Sequence, residues 1–529
     1  MKKRIKQIYL AAGILMAVMT QLTACASWIV VHKPPSKTAE TAPQDGTDKD
    51  SMTSDSTDTS DISNTTEKAD KPESDTTEPI APSSSLETAK AALAELRDMD
   101  MDGMNYLIAA ADHSAAFGDR FDGDAAGSTV LPELRVKRTQ LVEEKYNVRI
   151  LTFSYEAEEL YKEIRNAFLS STQYFADFYA IPQSQVGRYQ AEGMIFNLRS
   201  LPFTDFSKRY YDKEAMNAFS AGYGIYAAAG DYTFSPENYH AVYFNKTLHD
   251  RLSLTSPYQD VDSGTWTWDT FFANSAAARA LLDCDGNATY YGDNLSSYIL
   301  TEGENLVMAS SGTHIVQSGL DRTPELNADT DLIGTLVSVM RKAFQNSETA
   351  PASYQYTDTL PDDKSMFAAG KMLYYCSSLL NVRHFADMET VWGLVPLPKA
   401  NAAQKTYSAY TGDGAVICVP STVGAPELTG TIMQALFAAS GGAYLDAYLN
   451  EALSYYVRDG ETVDTMEQIC KTPYTDFAMS FSSGYSYLNN AAGLGVHSAV
   501  TQGASYASIY QNYKSLAALE LGNAFGVSQ

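Results

Sequence analysis

Side chains able to do chemistry are sparse in this sequence, and their spacing limits what they can do. Asp283, Asp285 and Asn287 carry oxygen ligands at alternating positions, as a calcium loop does. The pattern departs from the helix–loop–helix calcium motif at two places, however. Ala288 stands where that loop needs glycine, and Asn294 where it needs a bidentate glutamate. A tight turn is the simpler reading, and no metal or other cofactor is expected. No HExxH, GxSxG or phosphate-cradling glycine loop occurs. His113, His240, His249, His314, His384 and His497 lie far apart, without metal-ligand spacing. A carboxylate pair for glycoside hydrolysis stays open, since any two acidic residues can meet in a fold, but nothing marks such a pair. Tyrosine is abundant, 35 residues against 4 tryptophans. A flat apolar ring with a polar hydroxyl suits sugar binding, although core packing explains the same excess.

The amino terminus says where the chain works. Met1-Lys2-Lys3-Arg4 and Lys6 form a basic head, followed by an apolar run from Ile8 to Met19 and then Leu22-Thr23-Ala24-Cys25. A basic head with a short apolar core is the pattern of an export signal. About a dozen apolar residues are too few for a permanent membrane span. The last four residues resemble a bacterial lipobox, which implies a signal peptide over 1–24, cleavage before Cys25 and a lipid on its sulfur. An ordinary secretory signal with a chance cysteine is the alternative. Either way the expected location is extracytoplasmic; with the anchor it is the outer face of the cell membrane.

Composition narrows the function further. The 529 residues carry a formal net charge of -26, so phosphate neutralisation and nucleic-acid binding are excluded as a main role. Residues 25–85 are expected to form a tether, lipidated as the lipobox resemblance implies. From Lys33 to Ser85 the chain is Ser, Thr, Asp, Glu, Pro and Lys with almost no large apolar residue, and is expected to stay disordered. Its typical reach is roughly 40 Å. The roughly 430 residues that remain suit two lobes or one large α/β body. Cys284, Cys376, Cys418 and Cys470 contain no CxxC, and long spacings favour buried thiols over disulfides.

The elements that must position any site come from periodicity. Leu86–Leu96 has helical spacing and 104–111 is a buried-strand run. A helix at 134–146, a strand at 149–153, a helix at 157–169 and a strand at 174–180 then alternate. That order requires a parallel sheet with crossover helices. Ligands bind beyond the carboxyl ends of such strands, which places Ile181-Pro182-Gln183-Ser184-Gln185 at a candidate site. A strand at 241–245 and a helix at 268–282, capped by Thr267, come next. Helices are expected around 303–310, 331–346 and 364–370, strands at 372–376 and 392–396, and short helices and strands to the end. No internal repeat is present.

Several segments, in this order, resemble the extracellular solute-binding proteins of ABC importers, in the family 1 carbohydrate-type group. They are the helix Arg138-Thr139-Gln140-Leu141-Val142-Glu143-Glu144-Lys145-Tyr146, Ala176-Asp177-Phe178-Tyr179, and Val242-Tyr243-Phe244-Asn245-Lys246. Gly264-Thr265-Trp266-Thr267-Trp268-Asp269, Phe367-Ala368-Ala369-Gly370-Lys371 and Trp392-Gly393-Leu394-Val395-Pro396 continue the series. The resemblance covers about 104–480 and implies nothing for the residues after 480. It implies an α/β, two-lobed periplasmic-binding-protein-like fold with a hinge and an interlobe cleft. Within the solute-binding region, 86–529, the first lobe would hold about 102–240 and 411–455, and the second about 241–410 and 456–529.

The same resemblance implies ligand contacts at Tyr179, Gln183, Ser184 and Gln185 on the first-lobe loop. It implies Trp266, Glu302, Asn305, Tyr375, Ser377, Ser378, Tyr410 and Asp413 on the second lobe and the hinge return. Each has a structural alternative: core for Tyr179, a helix start for Trp266, capping for Glu302 and Asn305, hinge fixation for Asp413. Ser377 and Ser378 replace the aromatic residue the family often places there. The implied function is capture of a small-molecule solute, a sugar or oligosaccharide, by a monomer that performs no catalysis and docks on ABC permease subunits. A lipid-anchored glycan hydrolase, and a surface adhesin or co-receptor, are the competing readings.

Overall fold

In the computed structural model, residues 82–112, 130–170, 174–235, 238–284, 290–291, 294–295, 297–300, 303–345 and 363–526 are described. Eight strands in two sheets organise them, and we number these β1 to β8. In the first sheet, β1 (Met104–Asp112) lies between β2 (Val148–Glu156) and β3 (Phe178–Pro182), parallel to both. The helices Leu131–Tyr146 and Ala157–Ser170 make the two crossovers. The expected β-α-β-α-β unit is therefore present.

Local chemistry accounts for its boundaries. The first crossover helix begins three residues earlier than its apolar spacing suggests because Pro132 occupies its first turn, where a missing N–H costs nothing. It stops where Asn147 turns left-handed at φ 48°. β3 starts at Phe178 rather than at Tyr174. The buried Asp177 carboxylate accepts the Leu107 N–H at 2.8 Å and the Tyr174 hydroxyl, so the chain is held by side-chain bonds before it joins the ladder.

The second sheet has the order β7 (Trp392–Val395), β4 (His240–Asn245), β6 (Tyr374–Ser378), β5 (Tyr298–Leu300). β4 is antiparallel to both neighbours, and β6 is parallel to β5. The chain passes from the first sheet to the second at Asn238–His240. It returns through Tyr410–Ala415 to β8 (Ala415–Cys418), which pairs antiparallel with β3. A short strand, Pro473–Tyr474, runs parallel to Ala409–Tyr410 and leads into the helix Phe477–Phe481.

Each sheet has its own core. Tyr106, Ile108, Phe178, Ala180 and Ile417 pack against the helix Pro426–Ser440, of which every residue from 429 to 440 is buried. Tyr243, Tyr375, Phe385, Trp392 and Leu394 fill one side of the second sheet. Phe244, Trp266, Phe271, Tyr298 and Tyr374 fill the other, with Phe271 stacked on Tyr374 at 4.6 Å. Much of the tyrosine excess is thus core aromatic surface. Cys376, Cys418 and Cys470 are buried, and burial raises the pKa of each thiol.

Residues 477–526 touch both bodies. Phe477–Phe481 lies on Gln183–Ala191, and Phe525 packs on Tyr226 beside Gly222. Arg341, on the helix Thr330–Gln345 of the second body, donates to the carbonyls of Ala499 and Ala504. Assigning all of 456–529 to the second lobe therefore captures only part of their contacts.

Candidate functional site

The crossing segments and the loop after β3 meet at one place. Gln183 opens a single 3-10 turn, Gln183–Gln185, directly beyond the carboxyl end of β3. Its backbone N–H donates to the Gly414 carbonyl at 2.9 Å, and its side-chain amide to the Gly412 carbonyl. Ser184 donates twice to Asp413, N–H to Oδ1 at 2.9 Å and Oγ–H to Oδ2 at 2.6 Å. The return segment turns at Gly412, whose φ of +59° favours glycine. Asp413 and Ser184 thus tie the first-sheet loop to the hinge return, the fixing role that sequence offered as the alternative for Asp413. Tyr410 lies against His240 with ring centroids 5.0 Å apart and accepts a long bond, 3.5 Å, from Asn305 Nδ2. Asn305 is exposed in the first turn of the helix Glu304–Ser311.

The other expected contacts are placed differently. Trp266 is fully buried, and its Nε1–H donates to the Pro396 carbonyl at 2.7 Å. It is a core residue, because the turn between the helices Pro257–Ser263 and Trp268–Cys284 packs its ring against Phe271 and Tyr374. Tyr375 is equally buried, beside Phe367, Tyr243 and Phe385. Tyr179 is 3% exposed, and burial pushes its hydroxyl pKa upward. Ser377 Oγ accepts a bond from Asn381, and the Ser378 carbonyl accepts one from the Tyr243 hydroxyl. Gln185 is half-buried at the end of its turn. Glu302 and Cys25 lie outside the described residues, as do Asp285 and Asn287 of the expected tight turn.

A cavity of about 1050 Å³ adjoins this hinge. Gln183 lines it from the loop after β3, Gly414 and Val416 from the hinge return and the start of β8, and Asn238 and Tyr239 from the outgoing crossing. Tyr211, Asp212, Glu214 and Asp231 supply a wall from the first body, and Tyr407, Tyr474 and Thr475 face them. Its size is at the upper end for small-molecule sites, and its mixture of rings, hydroxyls and carboxylates suits a polar solute with apolar faces. Burial raises the Asp231 pKa to about 7, although the Gly442 N–H donates to its carboxylate at 3.1 Å. Burial also raises that of Asp212, against two N–H groups of the helix it caps, Lys213–Ala218.

Of the described residues expected to bind ligand, only Gln183 lines the cavity. Most of the remaining lining comes from segments hundreds of positions apart, and no local pattern marked it. Asp212 alone carried a signal, as a helix cap ahead of Glu214. Among the described residues, no group of three His, Cys, Asp or Glu is placed to hold a metal ion. Nor is any helix among them long and apolar enough to cross a membrane.

No family model matches this chain, and no curated protein matches it. Solved structures do match in fold. The sugar-binding protein MalE from Xanthomonas citri superposes with a TM-score of 0.50 at 11% identity, covering 79% of this chain and 98% of that one. The galacto-N-biose-/lacto-N-biose I-binding protein of the ABC transporter from Bifidobacterium longum gives a TM-score of 0.50 at 11% identity, covering 81% of this chain and 99% of that one. Two α/β bodies joined by crossing strands, over this length, are the periplasmic-binding-protein-like fold of those sugar-binding proteins.

Proposed function

We propose that this chain is a lipid-anchored, extracellular solute-binding protein that captures a carbohydrate by movement of its two lobes and delivers it to an ABC-type permease, with no catalysis of its own. The observation that carries this reading is the position of the cavity, at the crossing segments between the two sheets, within a fold shared with sugar-binding proteins. A solute lodged there touches both bodies and favours the arrangement in which it makes the most contacts. Its lining of tyrosines and carboxylates offers stacking faces and hydroxyl partners.

A thermal-shift panel of mono- and oligosaccharides tests the reading. A true ligand at one hundred times its dissociation constant is expected to stabilise the chain by about 2.7 kcal/mol. A panel flat for every sugar, polyol and peptide would sink it, and release of reducing ends from a glycan would favour a hydrolase instead.

In this reading the acidic tether and the anchor keep a monomeric receptor close to its permease, raising its local concentration for repeated docking. Cys25→Ser is expected to move the protein from the membrane fraction to the soluble fraction without changing its melting temperature. Retention of the variant in membranes counts against the anchor.

A further inference from the structure

One charged cluster joins the two bodies beside the cavity. Glu214 sits in the first turn of Lys213–Ala218, a helix capped by Asp212 and held by Met216 in the first core. His314 lies just beyond the helix Glu304–Ser311, which packs on Thr330–Gln345 in the second body. The Asn327 side chain fixes its backbone by donating to the His314 carbonyl at 2.9 Å. Asp476 comes just after the short strand Pro473–Tyr474, which pairs with Ala409–Tyr410 of the return segment, and is fully buried.

The imidazole stands between these two acids. Nε2 is 2.9 Å from Glu214 Oε1, and Nδ1 is 3.4 Å from Asp476 Oδ2. The ring stacks on Tyr474 at 5.2 Å with 15° between planes. Both nitrogens face carboxylates, and only the imidazolium has two N–H donors to offer. Asp476 also accepts the N–H groups of Ile315 at 2.8 Å and Ala478 at 2.6 Å, and the Tyr474 hydroxyl at 3.2 Å. Those neutral donors leave a buried carboxylate that still needs a cation, and His314 supplies it.

We propose that Glu214, His314 and Asp476 form an ion-bridged clasp that holds the two lobes in the arrangement seen here. The clasp joins a helix of the first lobe to a turn of the second and to the segment after the short strand Pro473–Tyr474, so a relative rotation of the lobes must carry or break it. Glu214, Tyr474 and Thr475 also line the cavity, which places the clasp in its wall. It does not depend on the solute being a carbohydrate.

Hydrogen bonding to Asp476, then to Glu214, raises the His314 pKa to about 10 against the cost of burial. Glu214, Asp476 and Tyr474 are the titratable groups that face it. The folded value lies above the ordinary value of about 6.5. The clasp therefore contributes fully below pH of about 6.5 and is lost as pH rises through about 10.

Small-angle scattering of the full chain and NMR titration of His314 test this, using Glu214→Gln and His314→Gln. Glu214 is partly exposed, so its variant is expected to fold even if His314→Gln does not. The wild-type scattering is expected to fit this structure at pH 7 and to depart from it above pH of about 10. Glu214→Gln is expected to show the departed curve already at pH 7, with the His314 midpoint falling toward 6.5. Identical scattering of wild type and Glu214→Gln at pH 7, or an unmoved His314 midpoint, overturns the clasp. Neither readout involves a solute, so a flat sugar panel leaves this result interpretable.

Discussion

Trp266→Ala is expected to lower the stability of the folded chain by about 3–5 kcal/mol, the range for removing a buried large aromatic side chain. Trp266 has no exposed surface, its indole N–H has a partner in the Pro396 carbonyl, and its ring meets Phe271 and Tyr374. Truncation leaves a void in a close-packed core and a carbonyl without its donor. Trp266→Phe fills most of the volume and is expected to cost less. Neither variant is expected to alter the solute affinity of the protein that remains folded. Urea denaturation with solute titration separates the possibilities. A stable Trp266→Ala protein with lost affinity returns this residue to the binding site.

Gly187→Ala is expected to destabilise by about 3 kcal/mol, at the upper end for overpacking, because the obstacle is backbone. A Cβ built on Gly187 lies 2.3 Å from the Phe481 carbonyl oxygen and 2.5 Å from the Phe481 Cα. Gly484 returns the constraint, since its Cβ would lie 2.0 Å from the Gly187 carbonyl oxygen. The two glycines let Val186–Ala191 and the chain after Phe477–Phe481 touch directly. Ser483 then donates to the Ser184 carbonyl at 2.6 Å. This contact ties the carboxyl-terminal segment to the loop that carries Gln183 and Ser184. Gly334→Ala is the control. Its Cβ meets nothing within 4 Å, in the middle of the helix Thr330–Gln345, and alanine there is expected to stabilise by up to about 1 kcal/mol. A loss below about 1 kcal/mol for Gly187→Ala contradicts the close approach.

Both effects concern places where local reading and folded position diverge. Trp266 begins a helix motif, and sequence leaves two uses for its ring; packing against a strand over one hundred positions away decides between them. Gly187 has an ordinary backbone conformation, so nothing in its neighbours announces that Phe481 will lie against it. Ser184 and Asp413 were each legible as polar residues near a strand end and a hinge. That they bond to each other came only from β3 pairing with β8.

By itself the sequence determined the β-α-β-α-β order and the strand at 241–245, and it is the sole ground for the proposed export signal and acidic tether. These are read from composition and from periods of two and 3.6 residues, which are local properties. Its ordered motifs also pointed to the fold that the two sheets adopt. Only the tertiary structure decided that Gln183 alone among the described expected contacts faces the cavity, that the aromatic candidates Trp266, Tyr375 and Tyr179 are core, and that residues 477–526 touch both bodies. Those outcomes depend on which distant backbones come together, and Asp231, Glu214, His314 and Tyr474 become neighbours of one cavity and clasp only after both sheets have formed.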